Sequence, residues 1–158
     1  MNLEDVTRIA ALSAVLGTAV VYGTDVFCAM VLRPALALVD DHAMVAVTGN
    51  VHRYGDRRMP LPGVLGIAGA ALTIMLAVVG AHWSQAVAEG AALALLLVWL
   101  VLYTQVSAPI NRQLTAAAEA SRSLPNGLAL QAKWCSIIDA RATLQGLAVA
   151  ALCSVLIV

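Results

Sequence analysis

Four long runs of apolar residues, separated by short polar stretches, make up most of this chain. The runs predict helices over about residues 6–33, 61–81, 86–107 and 128–158. Each run reaches the roughly 17–25 residues that a helix needs to cross about 30 Å of hydrocarbon. The short alternating segments of a membrane β-barrel are absent from the sequence. The pattern therefore predicts an all-α fold, a four-helix transmembrane bundle, with residues 1–158 forming a single integral membrane domain.

Composition agrees with this class and excludes others. Hydrophobic residues make up 61% of the 158 residues and charged residues 11%, with a formal net charge of zero. A soluble domain has about 25% charged residues, so we expect a multi-pass protein of the cell (inner) membrane. The sequence has no basic tract of the kind that binds nucleic acid. The expected partners are the lipid bilayer, a hydrophobic small molecule, and either further copies of the chain or a larger membrane complex.

Basic residues are concentrated in two of the three predicted loops. They lie in or beside the first and third loops, at Arg33, Arg53, Arg57, Arg58, Arg112, Arg122 and Lys133. The opposite side has only Arg8. Because lysine and arginine in short loops favour the cytoplasm, both termini are expected on the extracytoplasmic side.

Two ionisable residues within the apolar runs are candidates for a functional site. Asp25 lies on the order of 28 Å along the first helix, at 1.5 Å per residue, which predicts a position near the cytoplasmic leaflet. Arg141 is expected at a matching depth in the fourth helix, on the same side. An ionisable group in hydrocarbon costs several kcal/mol and is by default a functional hypothesis. The two residues are expected to pair, either as a link between two helices or as part of a site.

One histidine of the first loop is the best candidate for a general base. His52 is expected on the same side as Asp25 and Arg141, and imidazole titrates near neutral pH. His42 and His82 are interpreted as interfacial residues.

The sequence gives no clear cofactor site. The histidines do not have metal-ligand spacing within one helix, and Cys28, Cys135 and Cys153 do not form a metal or disulfide motif. The cysteines are interpreted as packing residues, with a thiol or copper role at Cys28 and Cys135 as the alternative. No cofactor is evident, while a metal or haem is not excluded.

The third apolar run ends in an unusual polar segment, "SAPINRQL", at residues 107–114. Proline interrupts helices, so Pro109 predicts that the third helix stops near Ser107. The predicted orientation brings Asn111 to the same side as Asp25 and Arg141, so the broken end can form one wall of a polar pocket. A faint echo of this segment, "LRPALAL", occurs about 75 residues earlier and suggests an internal duplication.

The order of these features resembles a known family. A long first helix with Gly23 and a terminal Pro34, a polar loop reaching "MP", a helix end reading "APIN" and a last helix beginning "KWCSIIDAR" resemble the anthrone-oxygenase-like family of small four-helix membrane proteins, long catalogued as a domain of unknown function. The matching positions are Pro109, Ile110, Asn111, Trp134 and Arg141. The family tends to have asparagine or histidine three residues before this arginine, whereas this chain has Ile138 there, followed by Asp139.

The resemblance implies oxidation of a small hydrophobic aromatic or quinol-like substrate by dioxygen. His52 or Asp25 would remove a proton, and Arg141 with Asn111 would stabilise the enolate oxygen. Trp134 would stack on the flat ring system. Such a carbanion reacts with dioxygen without a cofactor.

Two other functions fit the same sequence. The first is a non-enzymatic accessory or structural subunit of a larger membrane complex, packed through its glycine and alanine positions. The second is a carrier of ions or small molecules, which is less favoured because the polar residues cluster at one side instead of spreading through the bilayer.

Overall fold

The computed structural model describes residues 3–122 and 124–155, and within these ranges the chain is helical with no strand. The α-helices are α1 (Leu3–Phe27), α2 (Arg33–Leu36), α3 (Asp41–Arg58), α4 (Pro60–Val79), α5 (Trp83–Leu102), α6 (Ala108–Glu119), α7 (Gly127–Ser136) and α8 (Ile138–Val155). Two π-helical turns, Cys28–Leu32 and Tyr103–Ser107, join α1 to α2 and α5 to α6.

Four stretches of the described chain are long and apolar enough to cross a membrane, as predicted. They are Glu4–Leu36, Pro60–Val79, Trp83–Glu119 and Gly127–Ser154. Helix α1 packs against both α4 and α8, and helix α5 does the same. Among the described residues, α1 and α5 have no comparable contact with each other. These four helices therefore form a closed ring around a shared core.

The core of this ring contains mainly small side chains. Alanines and leucines of all four helices fill its centre, at Ala14, Ala70, Ala92, Leu96, Ala148 and Leu152. Gly69 allows α4 to approach α1, since a Cβ there would lie 2.9 Å from the Cβ of Ala14. Small residues at such crossings let membrane helices pack closely.

The structure has a fifth helical segment that hydropathy did not predict. Helix α3 occupies the stretch expected to be a polar loop. Its buried residues lie on one face, at Met44, Val45, Thr48, Gly49 and His52, and that face packs against α6. The Asp40 side chain accepts a hydrogen bond from the Ala43 N–H and caps the helix at its start. An amphipathic helix of low mean hydropathy gives no signal in a search for apolar runs.

The prediction that the third helix stops near Ser107 is wrong. The helix continues through Pro109 as α6 and ends at Glu119. Proline lacks an N–H and its ring would clash with a carbonyl in a regular helix. Here the π turn comes first, with the Ala108 N–H bonded to the Tyr103 carbonyl, so that Pro109 enters the first turn of a new α-helix, where proline is tolerated.

The first half of the chain repeats this arrangement. Pro34 follows a π turn in which the Arg33 N–H bonds to the Cys28 carbonyl, and the first helix extends to Leu36 instead of ending at residue 33. The two π turns begin 75 residues apart, at Cys28 and Tyr103. This spacing is the same as that of the two similar sequence segments.

The other predicted boundaries differ less from the structure. The second helix spans Pro60–Val79 instead of 61–81, and the third begins at Trp83 instead of residue 86. The fourth is interrupted at Ile137 between α7 and α8. The end predicted for it, residues 156–158, lies outside the described residues.

The contact between α3 and α6 fixes the position of His52 and gives a first testable expectation. A Cβ on Gly49 would overlap the Leu114 carbonyl and the Ala118 side chain, and the Thr115 hydroxyl donates to the Gly49 carbonyl over 3.1 Å. We expect Gly49→Ala to lower the free energy of unfolding by about 1–3 kcal/mol through overpacking. Thermal unfolding in detergent measures this.

Gly90→Ala is the matched control for this change. Gly90 is also helical, but a Cβ there would meet nothing within 4 Å, so the substitution should stabilise the protein by roughly 0.5–1 kcal/mol. Equal effects of the two substitutions would contradict the close contact at Gly49.

Candidate functional site

A cavity of about 270 Å³ lies where α3 meets the ring of spanning helices. Its walls come from α1, α3, α4 and α5, with further side chains from α6, α7 and α8. All five predicted site residues line it: Asp25, His52, Asn111, Trp134 and Arg141. Each of them is buried. The structure thus brings the five together, and their chemical roles remain predictions.

The ion pair predicted between helices one and four is present at the base of this cavity. The Arg141 Nη2 donates to Oδ1 of Asp25 over 2.7 Å, and both side chains are about 5% exposed or less. The Arg141 Nη1 donates to the Ser107 hydroxyl over 2.7 Å. Oδ2 of Asp25 accepts from Gln145 Nε2 at 2.6 Å and from Trp99 Nε1 at 3.1 Å. Both oxygens of Asp25 are therefore occupied.

Aromatic rings surround the Arg141 guanidinium. Its central carbon lies 5.7 Å from the ring centroids of Trp99 and Tyr103 and 5.5 Å from that of Trp134. Cations are attracted to such ring faces, more strongly where water is excluded. The three rings and the bonds to Asp25 and Ser107 hold the guanidinium in one orientation.

Asp56 connects α3 to the opposite wall of the cavity. Its Oδ1 accepts from the Tyr103 hydroxyl at 2.8 Å and from Asn111 Nδ2 at 2.9 Å. Because a carboxylate only accepts, the Asn111 amide must direct its nitrogen at Asp56. Oδ1 of Asn111 is then left without a partner among the described residues.

His52 lies one helical turn before Asp56 on α3. Its ring centroid is 5.2 Å from that of Trp134, with the planes tilted by 46°. Burial, the largest cause, and the Arg141 charge together lower the pKa of His52 to about 4, against the opposing effect of Asp56. His52 is therefore neutral at neutral pH, so that one ring nitrogen can accept a proton.

Four buried polar atoms of the cavity-lining side chains lack a hydrogen-bond partner within the described chain. They are His52 Nε2, Asn111 Oδ1, Trp134 Nε1 and Arg141 Nε. Buried polar groups in folded proteins are nearly always hydrogen-bonded, so each such group needs an explanation. Two of these atoms can only donate, one can only accept, and the histidine nitrogen does either according to its tautomer. Together they form a set of complementary groups suited to a small polar head.

Both π turns adjoin this site. Asp25 lies three residues before the first turn, and the second begins with Tyr103 and ends with Ser107. Single π turns inside α-helices are rare and occur frequently at functional sites. In this chain they set the register of the side chains around Arg141.

The sequence did not identify most of the residues that hold the ion pair. Trp99, Tyr103 and Ser107 follow one another at intervals of four, and Gln145 lies four residues after Arg141. This spacing puts the residues of each set on one face of a helix. It is the feature of the sequence from which these residues could have been identified. It was missed because tryptophan, tyrosine and serine are ordinary residues at the end of a membrane helix.

The other candidates lie elsewhere. Asp139 pairs with Arg33 over 2.9 Å at a partly exposed position, while Ile138 is fully buried in an apolar cluster. The position three residues before Arg141, which is polar in the family that the sequence resembles, is thus occupied by a core residue. His42 and His82 are exposed.

Two of the three cysteines lie away from the cavity. Cys28 lines it, Cys135 and Cys153 do not, and all three are free thiols. The described residues contain no group of three or more histidine, cysteine, aspartate or glutamate side chains placed to hold a metal ion.

A second buried ionisable residue, Glu89, was overlooked in the sequence. It lies in α5 and is fully buried. Neither of its carboxyl oxygens has a hydrogen-bond partner in the described part of the chain. The hydroxyl of its neighbour Thr73 donates to the Ala70 carbonyl. The statement that polar residues cluster at one side of the bundle therefore has an exception here.

Comparisons with protein-family models, with curated proteins and with solved structures found no match. The resemblance to anthrone oxygenases therefore stays a prediction.

Proposed function

We propose that the cavity binds a small aromatic ketone, phenol or quinol and that the protein oxidises this ligand with dioxygen. The observation that carries the proposal is the set of four unpartnered polar atoms on buried side chains that line one cavity. Ligand sites are typically apolar clefts with a few well-placed polar groups. A volume of about 270 Å³ suits a small ring system.

The polar atoms suggest how such a ligand is oriented. The Arg141 Nε–H and the Trp134 Nε1–H donate to the ligand's oxygen, and Asn111 Oδ1 accepts from a hydroxyl if one is present. Fixed donors in a site that excludes water stabilise a developing negative charge much better than water does. The enolate form of a ketone or the phenolate form of a phenol is therefore favoured in this cavity.

For an anthrone, the reaction balances without a cofactor. His52 Nε2 removes a proton from the carbon opposite the carbonyl, and the electron pair moves onto the oxygen beside Arg141. The carbanion transfers electrons to dioxygen and forms a carbon–oxygen bond, giving a hydroperoxide once a proton is returned. Removal of the second proton from the same carbon breaks the oxygen–oxygen bond, so that anthrone and dioxygen yield anthraquinone and water.

Within this proposal Asp25 positions Arg141 and is not the base. Both oxygens of Asp25 accept hydrogen bonds from Arg141, Trp99 and Gln145, whereas His52 Nε2 has no partner among the described residues. Of the two bases expected from the sequence, His52 therefore fits the geometry better. A base must reach the proton it removes before its pKa matters.

We further place the protein in the cell's inner membrane with the cavity near the cytoplasmic leaflet. Helix α4 has 20 residues, which at 1.5 Å each match a hydrocarbon core of about 30 Å. Pro60, at the start of α4, lines the cavity, so the cavity lies near one edge of the bilayer. The arginines of the first and third loops favour the cytoplasmic edge.

The test is oxygen uptake by protein reconstituted in lipid nanodiscs and supplied with anthrone. We expect one dioxygen to be consumed for each anthraquinone formed, without release of hydrogen peroxide. Trp134→Phe keeps a ring but removes the Nε1 donor, and should lower kcat by about 10²–10³ as for loss of one oxyanion donor. Trp83→Phe is the matched control, because Trp83 is exposed at the far end of α5.

The possible results separate the alternatives. Binding of anthrone without oxygen uptake would reduce the proposal to a binding protein. Absence of both binding and uptake would favour the accessory-subunit interpretation. Equal losses of kcat in Trp134→Phe and Trp83→Phe would show that Trp134 has no role in the reaction.

A further inference from the structure

We propose that the cavity opens sideways into the bilayer, so that it takes membrane-dissolved ligands with a polar aromatic head inside and an apolar tail in the lipid. This inference rests on the proposed binding site but not on the oxidation step. It specifies the ligand class as long-tailed phenols, quinols or ketones.

The opening is identified by residues that both line the cavity and remain exposed. Val51 on α3 is 41% exposed and Val64 on α4 is 62% exposed, and Pro60 at the start of α4 is also exposed. Together with Gly63 they form the rim of the cavity. The α4 part of this rim lies on a candidate membrane span, where exposed side chains contact lipid.

The opposite end of the cavity is closed and polar. Asp25, His52, Asn111, Trp134 and Arg141 are each at most 6% exposed. A ligand lying between this end and the rim therefore has a polar head in the protein and an apolar part directed to the hydrocarbon. The cavity thus matches a molecule that is itself oriented in a membrane.

Gly63 leaves open space at the rim of the cavity. A Cβ built on Gly63 would meet nothing within 4 Å, although Gly66, one turn along the same helix, would clash with Thr18. The glycine at the rim is therefore not required for helix packing. A larger side chain at residue 63 has room to fold over the rim and block it.

Tryptophan fluorescence gives a readout that does not depend on turnover. The chain has three tryptophans, of which Trp99 and Trp134 line the cavity. In a Trp83→Phe background in nanodiscs, 4-bromophenol should quench the remaining fluorescence saturably. Competition by 4-ethylphenol and 4-nonylphenol, with concentrations expressed as mole fractions in the bilayer, then reports their affinities.

We expect 4-nonylphenol to compete within about threefold of 4-ethylphenol, because its tail can extend through the opening. Gly63→Leu should weaken the binding of 4-nonylphenol by about tenfold or more, because the new side chain occupies the opening through which the tail passes, and it should change the binding of 4-ethylphenol much less. Gly90→Leu, at a helical glycine with open space away from the cavity, is the control and should change neither.

Different outcomes overturn different statements. If 4-ethylphenol competes and 4-nonylphenol does not, the cavity is closed to lipid, and the opening is refuted while the binding site stands. If Gly63→Leu leaves the affinity for 4-nonylphenol unchanged, the opening is not at this rim and the proposal fails. If 4-bromophenol does not quench at all, the proposed binding site fails together with the opening.

Discussion

Replacing Arg141 with methionine is expected to lower the free energy of unfolding by about 3–5 kcal/mol, because it leaves the buried Asp25 carboxylate without its charged partner. Both side chains of the pair are almost fully buried, so water cannot solvate the carboxylate that remains. The same change removes the Nε donor and should abolish anthrone oxidation and phenol binding. Thermal unfolding in detergent measures the loss of stability. Oxygen uptake and tryptophan quenching measure the losses of oxidation and of binding.

A double variant distinguishes loss of function from loss of folding. Asp25→Leu combined with Arg141→Met replaces both charges with apolar side chains of similar size. Replacing a whole buried ion pair in this way is often neutral or stabilising by about 1–4 kcal/mol. We therefore expect the double variant to be at least as stable as Arg141→Met alone, yet without activity.

Two results would contradict this account. If the double variant keeps its oxygen uptake, Arg141 has no role in the chemistry. If Arg141→Met unfolds no more readily than the parent, then the pair contributes less than its burial implies. The exposed pair of Arg33 and Asp139 provides the comparison, since Arg33→Met should change stability by about 1 kcal/mol or less.

The second large effect is expected at His52. Replacement with glutamine keeps a polar side chain of similar length but removes the base, so kcat should fall by about 10²–10⁴. Phenol binding should persist, because the donors of Arg141 and Trp134 remain. A fall in binding that matches the fall in kcat would show that His52 only shapes the cavity.

The buried His52 also makes stability dependent on pH in a defined direction. Its pKa is lowered to about 4 in the folded protein by burial, compared with about 6.5 when unfolded. Below pH 6.5 the unfolded chain binds a proton that the folded chain does not, so stability falls as the pH falls towards 4. The loss amounts to about 3 kcal/mol from this group alone.

Unfolding curves at pH 7, 5.5 and 4.5 for the parent and for His52→Gln measure this effect. The variant should show a smaller loss over that range, and parallel losses in both proteins would refute the assignment. His42→Gln is the control, because His42 is exposed at the start of α3. Turnover should be nearly flat from pH 6 to 8, since His52 is already neutral there.

Much of the site was accessible from sequence because it consists of polar residues in an apolar chain. Asp25 and Arg141 stood out for that reason, and the side on which each would lie followed from counting residues along helices of known rise. That they pair at 2.7 Å agrees with their predicted matching depth. Asp56, Trp99 and Ser107 did not stand out, because each residue type has ordinary roles at helix ends, and Gln145 did not stand out because it carries no charge.

The rule that proline ends a helix gave a wrong prediction, because a π turn comes directly before the proline. Pro109 was expected to end a helix because proline cannot continue a regular one. The π turn before it removes that conflict, and neither its presence nor that of α3 follows from hydropathy. Helix α3 packs against α6, and a contact between distant segments of this kind is not reported by hydropathy.

The membrane class and the four spanning segments follow from the amino-acid sequence alone, because runs of about twenty apolar residues have the length needed to cross the hydrocarbon of a bilayer. The sequence also shows which few residues can carry charge in that environment. Which of these residues meet depends on the packing of the helices. The hydrogen bonds to Asp25 join residues 74 to 120 positions apart, and such pairings are set by how the helices pack and by the register that the two π turns give them.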